Sequence, residues 1–125
     1  MTYSVFRSYI LLVRVDATLR WQGLKHLYDS LREQPIRAVP EFDRIPYELL
    51  CHSIDLACVF YPKSVACLQR SSAAVLLLRQ HGWPAALVTG CSLGTFEDHA
   101  WAEIDGHVVN DKSYVREMYQ EIDRR

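Results

Sequence analysis

The chain has 125 residues, 50% of them hydrophobic, with 14 Lys and Arg against 15 Asp and Glu for a formal net charge of -1. A domain of this size buries roughly two-thirds of the surface its unfolded chain exposes, so the composition points to one folded core and excludes both two domains and wholesale disorder. The balanced charge excludes recognition of a polyanion by bulk electrostatics. Only residues 96–125 lean acidic, with four basic and eight acidic groups against ten and seven in residues 1–95.

In chain order, the first periodic signal runs from about Val5 to Leu31, with Leu12, Val15, Leu19, Leu24, Leu27 and Leu31 as the apolar stripe and Gly23 as a dividing point. The run Ile10-Leu11-Leu12-Val13 stops at Arg14, too short for a secretory core. No window approaches the roughly twenty apolar residues of a membrane span, and a cytoplasmic location is expected. Pro35 and Pro40 mark a connector. A second helix is predicted over Ile45–Phe60, with Pro46 in its first turn and Tyr61-Pro62 closing it.

The pattern then changes. Ser64 is expected to cap a helix reaching Gln80, whose interior (Ala66, Ala73, Ala74, Val75, Leu76, Leu77, Leu78) reads as almost wholly buried. Gly82 ends it, Pro84 starts an extended segment over residues 85–89, and Gly90 to Gly94 reads as a loop. His99–Ile104 alternates as a strand. Asp105-Gly106 is a hairpin turn signal, and His107-Val108-Val109 is the partner strand. A short closing helix is predicted over Tyr114–Ile122. Helices followed by an antiparallel sheet make an α+β chain, an N-terminal helical region (1–60) packed on a core (61–125) within one domain.

Three residues could act together. Cys67 falls near the start of the buried helix, where unpaired backbone N–H groups and the helix dipole favour a thiolate and could hold an oxyanion. His99 begins one hairpin strand and Asp111 follows the other, so both fall at the same end of the hairpin. A carboxylate there can fix the imidazole tautomer, leaving the other nitrogen to take a proton from the thiol. Each residue also has a bland reading: Cys67 as a small core residue, His99 as a satisfied core histidine, Asp111 as a cap. The other cysteines, Cys51, Cys58 and Cys91, form no C-x-x-C pair with it or with one another. Without a secretory signal, no disulfide framework is expected.

Residues 67–83 read CLQRSSAAVLLLRQHGW, residues 84–90 PAALVTG, and residues 95–111 TFEDHAWAEIDGHVVND. Over residues 60–112 this resembles the processing proteases of bacterial lasso-peptide biosynthesis, in the stand-alone B2-type form. The resemblance implies a papain-like, transglutaminase-like core with a central buried helix and an antiparallel sheet. It implies Cys67 as nucleophile, His99 as general base and later proton donor, and Asp111 as the orienting acid. Arg70 of the CLQR motif, Gln69, and Trp101 and Glu103 of the HAWAE strand take supporting places. Gln69, Thr95 and Asp98 are candidates for the pocket at the cleavage point. Two departures from the family pattern stand out: His81 replaces the usual basic residue before the glycine, and Cys91 is additional.

The implied reaction is hydrolysis of the amide joining leader to core in a ribosomally made precursor peptide, with no cofactor and no metal. The implied partners are a separate B1-type leader-recognition protein and an asparagine-synthetase-like macrolactam cyclase that uses the freed α-amine. Delivery by a partner raises local substrate concentration without a large protease surface. Tyr3, Phe6, Tyr9, Leu12 and Trp21 of the N-terminal segment are candidates for the docking face. Two other readings remain: a transglutaminase-like transferase passing an acyl group to an amine, and a non-catalytic scaffold with Cys67 merely buried. A zinc site from Cys51, His52, Cys67, Cys91 and His99 lacks the short ligand spacing such sites use, and no basic stripe suggests nucleic acid.

Overall fold

The breakers fall where the chain turns. The computed structural model describes residues 2–92, 94 and 97–125, with side chains from residue 4 onward. Helix α1 (Thr2–Trp21) and helix α2 (Leu24–Glu33) flank Gly23, which divides the long first periodic segment. A short 3-10 turn (Glu41–Asp43) precedes helix α3 (Tyr47–Phe60), which has Pro46 at its N-cap and Tyr61 at its C-cap.

Helix α4 (Cys67–Gln80) starts three residues later than Ser64 suggests, with Ala66 in extended geometry at its N-cap. The connector before it is tied to α1. Lys63 Nζ lies 2.8 Å from Asp16 Oδ1, and the Tyr61 hydroxyl donates to Asp16 Oδ2 at 3.2 Å. These bonds hold residues beyond Tyr61 away from the helical path. From Ser71 to Arg79 every residue of α4 is buried. The helix ends in a Schellman arrangement: Trp83 N–H donates to Leu78 O (2.9 Å) and Gly82 N–H to Arg79 O (3.2 Å), with Gly82 at φ 91°.

Strands β1 (Ala85–Cys91), β2 (Asp98–Ile104), β3 (His107–Val108) and β4 (Gln120–Arg124) form one sheet in the order β3-β2-β1-β4, every neighbouring pair antiparallel. Asp105 and Gly106, at φ 51° and 82°, turn β2 into β3 as the Asp-Gly pair predicts. The C-terminal part differs from expectation. Only Val115–Met118 is helical (α5), and Gln120–Arg124 is a strand instead of the end of a helix. β1 would otherwise present an open edge of N–H and C=O groups. The segment fills that edge by backbone pairing, although its own side chains are mostly exposed and polar.

Strand alternation sorts two cores. Ala85 and Leu87 of β1, with Ala100, Ala102 and Ile104 of β2, face α4 and join Leu12, Leu31, Leu50, Ile54 and Leu77 in one cluster. The N-terminal helices therefore share the core of the sheet. The opposite face carries Val88, Trp101 and Val115, with Val108 and Tyr119 packed against them. Arg79 joins three elements from inside. Its Nε donates to Ala85 O at 2.8 Å, and its Nη1 donates to the carbonyls of Leu31 and Gln34.

Candidate active site

Cys67 is the first residue of α4, and Ala66 before it offers no side-chain cap. The first helical bond runs from Arg70 N–H to Ala66 O at 3.0 Å. The N–H groups of the preceding residues in this turn have no acceptor within the helix. They and the dipole favour negative charge beside the sulfur.

The His99 imidazole and the Asp111 carboxylate are paired. His99 Nε2–H donates to Asp111 Oδ2 at 2.6 Å, while Asp111 Oδ1 accepts the Lys112 backbone N–H at 2.7 Å. The hairpin makes this contact: Ile104 pairs with His107, Glu103 with Val108, and Val109 N–H donates to Ala102 O at 3.0 Å. Continuing the ladder brings Asp111 to the start of β2. Arg70, one turn after Cys67, places Nη2 3.9 Å from Asp111 Oδ2 and Nη1 3.7 Å from Asp55 Oδ1. Burial pushes the Asp111 carboxyl up. The His99 hydrogen bond, the Lys112 N–H and the His99 and Arg70 charges outweigh it and hold the group below its ordinary range.

A second polar chain registers the helix against the sheet. Ser71 Oγ donates to Ala100 O (3.0 Å) and accepts from Asn110 Nδ2 (2.9 Å), and Asn110 Oδ1 accepts from Ala102 N–H (2.7 Å). Ser71 stands one turn beyond Cys67 on the same helix face. Its partners are the neighbours in sequence of His99 and Asp111. The three candidate residues are thus fixed to a common frame through Ser71 and Asn110.

Cys67 and His99 open onto one cleft of about 350 Å³, with Leu24, Tyr28, Leu68, Asp98 and Ile122 among its other walls. That volume suits a small ligand or a few residues of peptide. Its lining takes in both faces of β2, Ala100 from one and His99 from the other. Among the described residues no hydrogen bond joins the thiol to the imidazole. The two groups share the cleft unbonded.

The other expected residues divide. Asp98 lines the cleft, and Thr95 lies outside the described residues. Gln69 lines a separate small cavity with Leu12, Asp16, Tyr61 and Lys63. Two residues on from Cys67, it points to another side of the helix. Trp101 and Glu103 are buried beside the site: Trp101 Nε1–H donates to Glu103 Oε2 at 2.7 Å. Glu103 Oε1 also accepts from Arg124 Nη2 at 3.0 Å. Of the docking candidates, Phe6 (65%) and Trp21 (76%) are exposed, but Leu12 (1%) is buried in the core and cannot form a docking face. Tyr9 packs on Tyr61 with ring centroids 5.4 Å apart, and the side chain of Tyr3 lies outside the described residues.

All four cysteines are free. Burial pushes the Cys51 thiol up to about 12, helped by the Asp55 and Glu48 charges. It raises Cys58 and Cys91 as well, Cys91 with the added charge of Asp98. These three are thereby kept as thiols. Among the described residues no group of three or more His, Cys, Asp and Glu side chains is placed to hold a metal ion. Sequence reasoning missed Tyr119, whose ring lies on His99 with centroids 4.9 Å apart. It also gave no role to Ser71 or Asn110. Asn110 was visible beside Asp111, but its reach back to α4 was not.

A family model for the transglutaminase-like superfamily matches residues 9–124. The chain belongs to this superfamily, and the match spans both the N-terminal helices and the sheet. The resemblance carried by the CLQR and HAWAE segments falls inside the matched region. No curated protein and no solved structure matches the chain.

Proposed function

We propose that the chain is a cysteine peptidase that removes the leader peptide from a lasso-peptide precursor, exposing the core α-amine for macrolactam formation. The observation that carries this reading is that His99, held by Asp111 at 2.6 Å, lines the same cleft as Cys67 at an uncapped helix start. With Nε2–H committed to Asp111, Nδ1 is the nitrogen left to take the thiol proton. The unbonded thiol and imidazole close up when a peptide fills the cleft, since such contacts commonly tighten only in the substrate complex.

The thiolate attacks the carbonyl at the leader–core junction. A C–S bond forms and the carbonyl electrons move to oxygen, held by the N–H groups of the first turn of α4. As the oxyanion collapses, the C–N bond breaks and His99 gives its proton to the departing core amine. His99 then takes a proton from water, whose oxygen displaces sulfur and frees the leader carboxylate. A separate leader-recognition protein brings the precursor, and exposed Phe6 and Trp21 on α1 are available for its docking. An asparagine-synthetase-like cyclase consumes the freed amine.

Reconstitution tests this. Precursor, leader-binding partner and wild-type chain should yield free leader and free core. Cys67→Ala should lose at least roughly 10³-fold in cleavage while still binding the partner. A Cys67→Ala protein that cleaves at the wild-type rate would refute the reading, and a mass-conserving adduct in place of two fragments would favour transfer to an amine.

A further inference from the structure

The C-terminal segment supplies a residue to the site that neither the sequence motifs nor the family match assigns. We propose that Tyr119 is a positioning residue: its ring fixes the plane of the His99 imidazole, while Asp111 fixes which nitrogen is committed. This rests on the Cys67–His99 reading for its consequence, but not for its geometry. The two rings are near-parallel, 21° apart with centroids at 4.9 Å, and Trp101 lies 6.0 Å from His99 at 30° and 6.3 Å from Tyr119 at 42°. The terminal torsion of a histidine joins sp³ to sp² carbon and has a broad, shallow profile. A single hydrogen bond through Nε2 allows the ring to rock about that torsion, and Nδ1 swings with it. A flat ring stacked on one face removes that freedom and leaves only the choice of nitrogen, which Asp111 makes.

The backbone is built to allow this stack. Gly90 pairs with His99 across β1 and β2, on the face where Tyr119 and Trp101 lie. A Cβ at position 90 would stand 2.9 Å from Trp101 Cη2, 3.0 Å from Tyr119 Cβ and 2.9 Å from Gln120 O. Any side chain there would push the stack apart. The β1–β4 pairing shifts register between Thr89 and Gly90. Such irregularities re-aim side chains beside functional sites. Here the shift accompanies the placement of Tyr119, at the turn from α5 into β4, against the histidine. The contact uses the ring face and not the hydroxyl, so phenylalanine should serve and an aliphatic residue should not.

The test is an NMR comparison of the full chain as wild type, Tyr119→Phe and Tyr119→Leu, and it needs no peptide substrate. In the wild type, the carbon-bound ring protons of His99 should be shifted upfield by the Tyr119 ring and show cross-peaks to it. The Nε2–H proton should appear downfield as a resolved resonance. Tyr119→Phe should keep both features, whereas Tyr119→Leu should lose the Tyr119 share of the upfield shift, leaving only that of Trp101, and broaden or lose the Nε2–H resonance. In the reconstituted reaction, kcat should fall roughly 3- to 30-fold for Tyr119→Leu with KM little changed, and Phe should restore it. A folded Tyr119→Leu protein with an unchanged Nε2–H resonance would overturn the proposal. So would a wild-type protein without ring-current shifts or cross-peaks, a result that does not depend on any variant folding. A failed cleavage reaction with the NMR pattern intact would instead count against the peptidase reading alone.

Discussion

Asp111 receives a hydrogen bond from His99 through one oxygen and from a backbone N–H through the other, with Arg70 nearby. Asn at this position keeps the shape but can present its NH2 group to the ring, which would commit the wrong tautomer. Asp111→Asn should therefore lower leader release by roughly 10²- to 10⁴-fold with little change in fold. The same carboxylate ties stability to pH. Its folded pKa lies below the ordinary carboxylate value, so the folded state binds its proton less readily than the unfolded chain. The stabilisation is fully present above about pH 4, the unfolded value, and is lost as pH falls through the lower folded value. The gap in melting temperature between wild type and Asp111→Asn should thus be largest near neutrality and shrink toward pH 3. A gap that widens on acidification would contradict a carboxylate held by these hydrogen bonds.

The helix and hairpin that carry these residues announce themselves locally, which is why the pairing of His99 with Asp111 could be read from the chain. Asp105-Gly106 sets the hairpin, and the hairpin sets His99 against Asp111 without any knowledge of the rest of the fold. The start of α4 was less legible, because Ser64 is a good cap by type and the bonds that overrule it come from Asp16, far away in sequence. β4 was not legible at all. Gln-Glu-Ile-Asp-Arg has no apolar face to declare a strand, and its conformation is imposed by the free edge of β1. Tyr119 was hidden for the same reason, since its place depends on that pairing and its register shift. At this scale the join between α4 and β2 is the sensitive point. Ser71→Ala leaves the buried Ala100 carbonyl without its side-chain donor and removes a partner of Asn110. It should cost about 1–3 kcal/mol in urea unfolding and, under the proposed mechanism, slow cleavage as well, because the same bonds register the helix that carries Cys67 against the strand that carries His99. A neutral Ser71→Ala would mean that the helix is registered by packing alone.

Across the whole molecule, the N-terminal helices and the sheet are built around one apolar cluster, with Arg79 binding carbonyls of α2, the following connector and β1 from within. A break in the helical half should therefore be felt everywhere. Leu12→Ala should remove about 2–5 kcal/mol and still give a single urea transition seen alike by far-UV circular dichroism and tryptophan fluorescence. Two separated transitions would contradict a shared core. The α1 surface should behave differently. Replacing exposed Phe6 and Trp21 with serine should change stability by no more than about 0.5 kcal/mol each and, if α1 is the docking face proposed above, should weaken association with a leader-recognition protein.

The proposed mechanism requires one sulfur to be chemically distinct from the other three, because an imidazole and a helix start would act on it. Brief treatment of the native protein with iodoacetamide at neutral pH, followed by peptide mapping, reads this directly. The prediction is that Cys67 gains its carbamidomethyl group first, several-fold more slowly in His99→Ala, with half-buried Cys58 and Cys91 following later and buried Cys51 reacting only after denaturation. Labelling of Cys58 or Cys91 ahead of Cys67, or a Cys67 rate indifferent to the loss of His99, would contradict it.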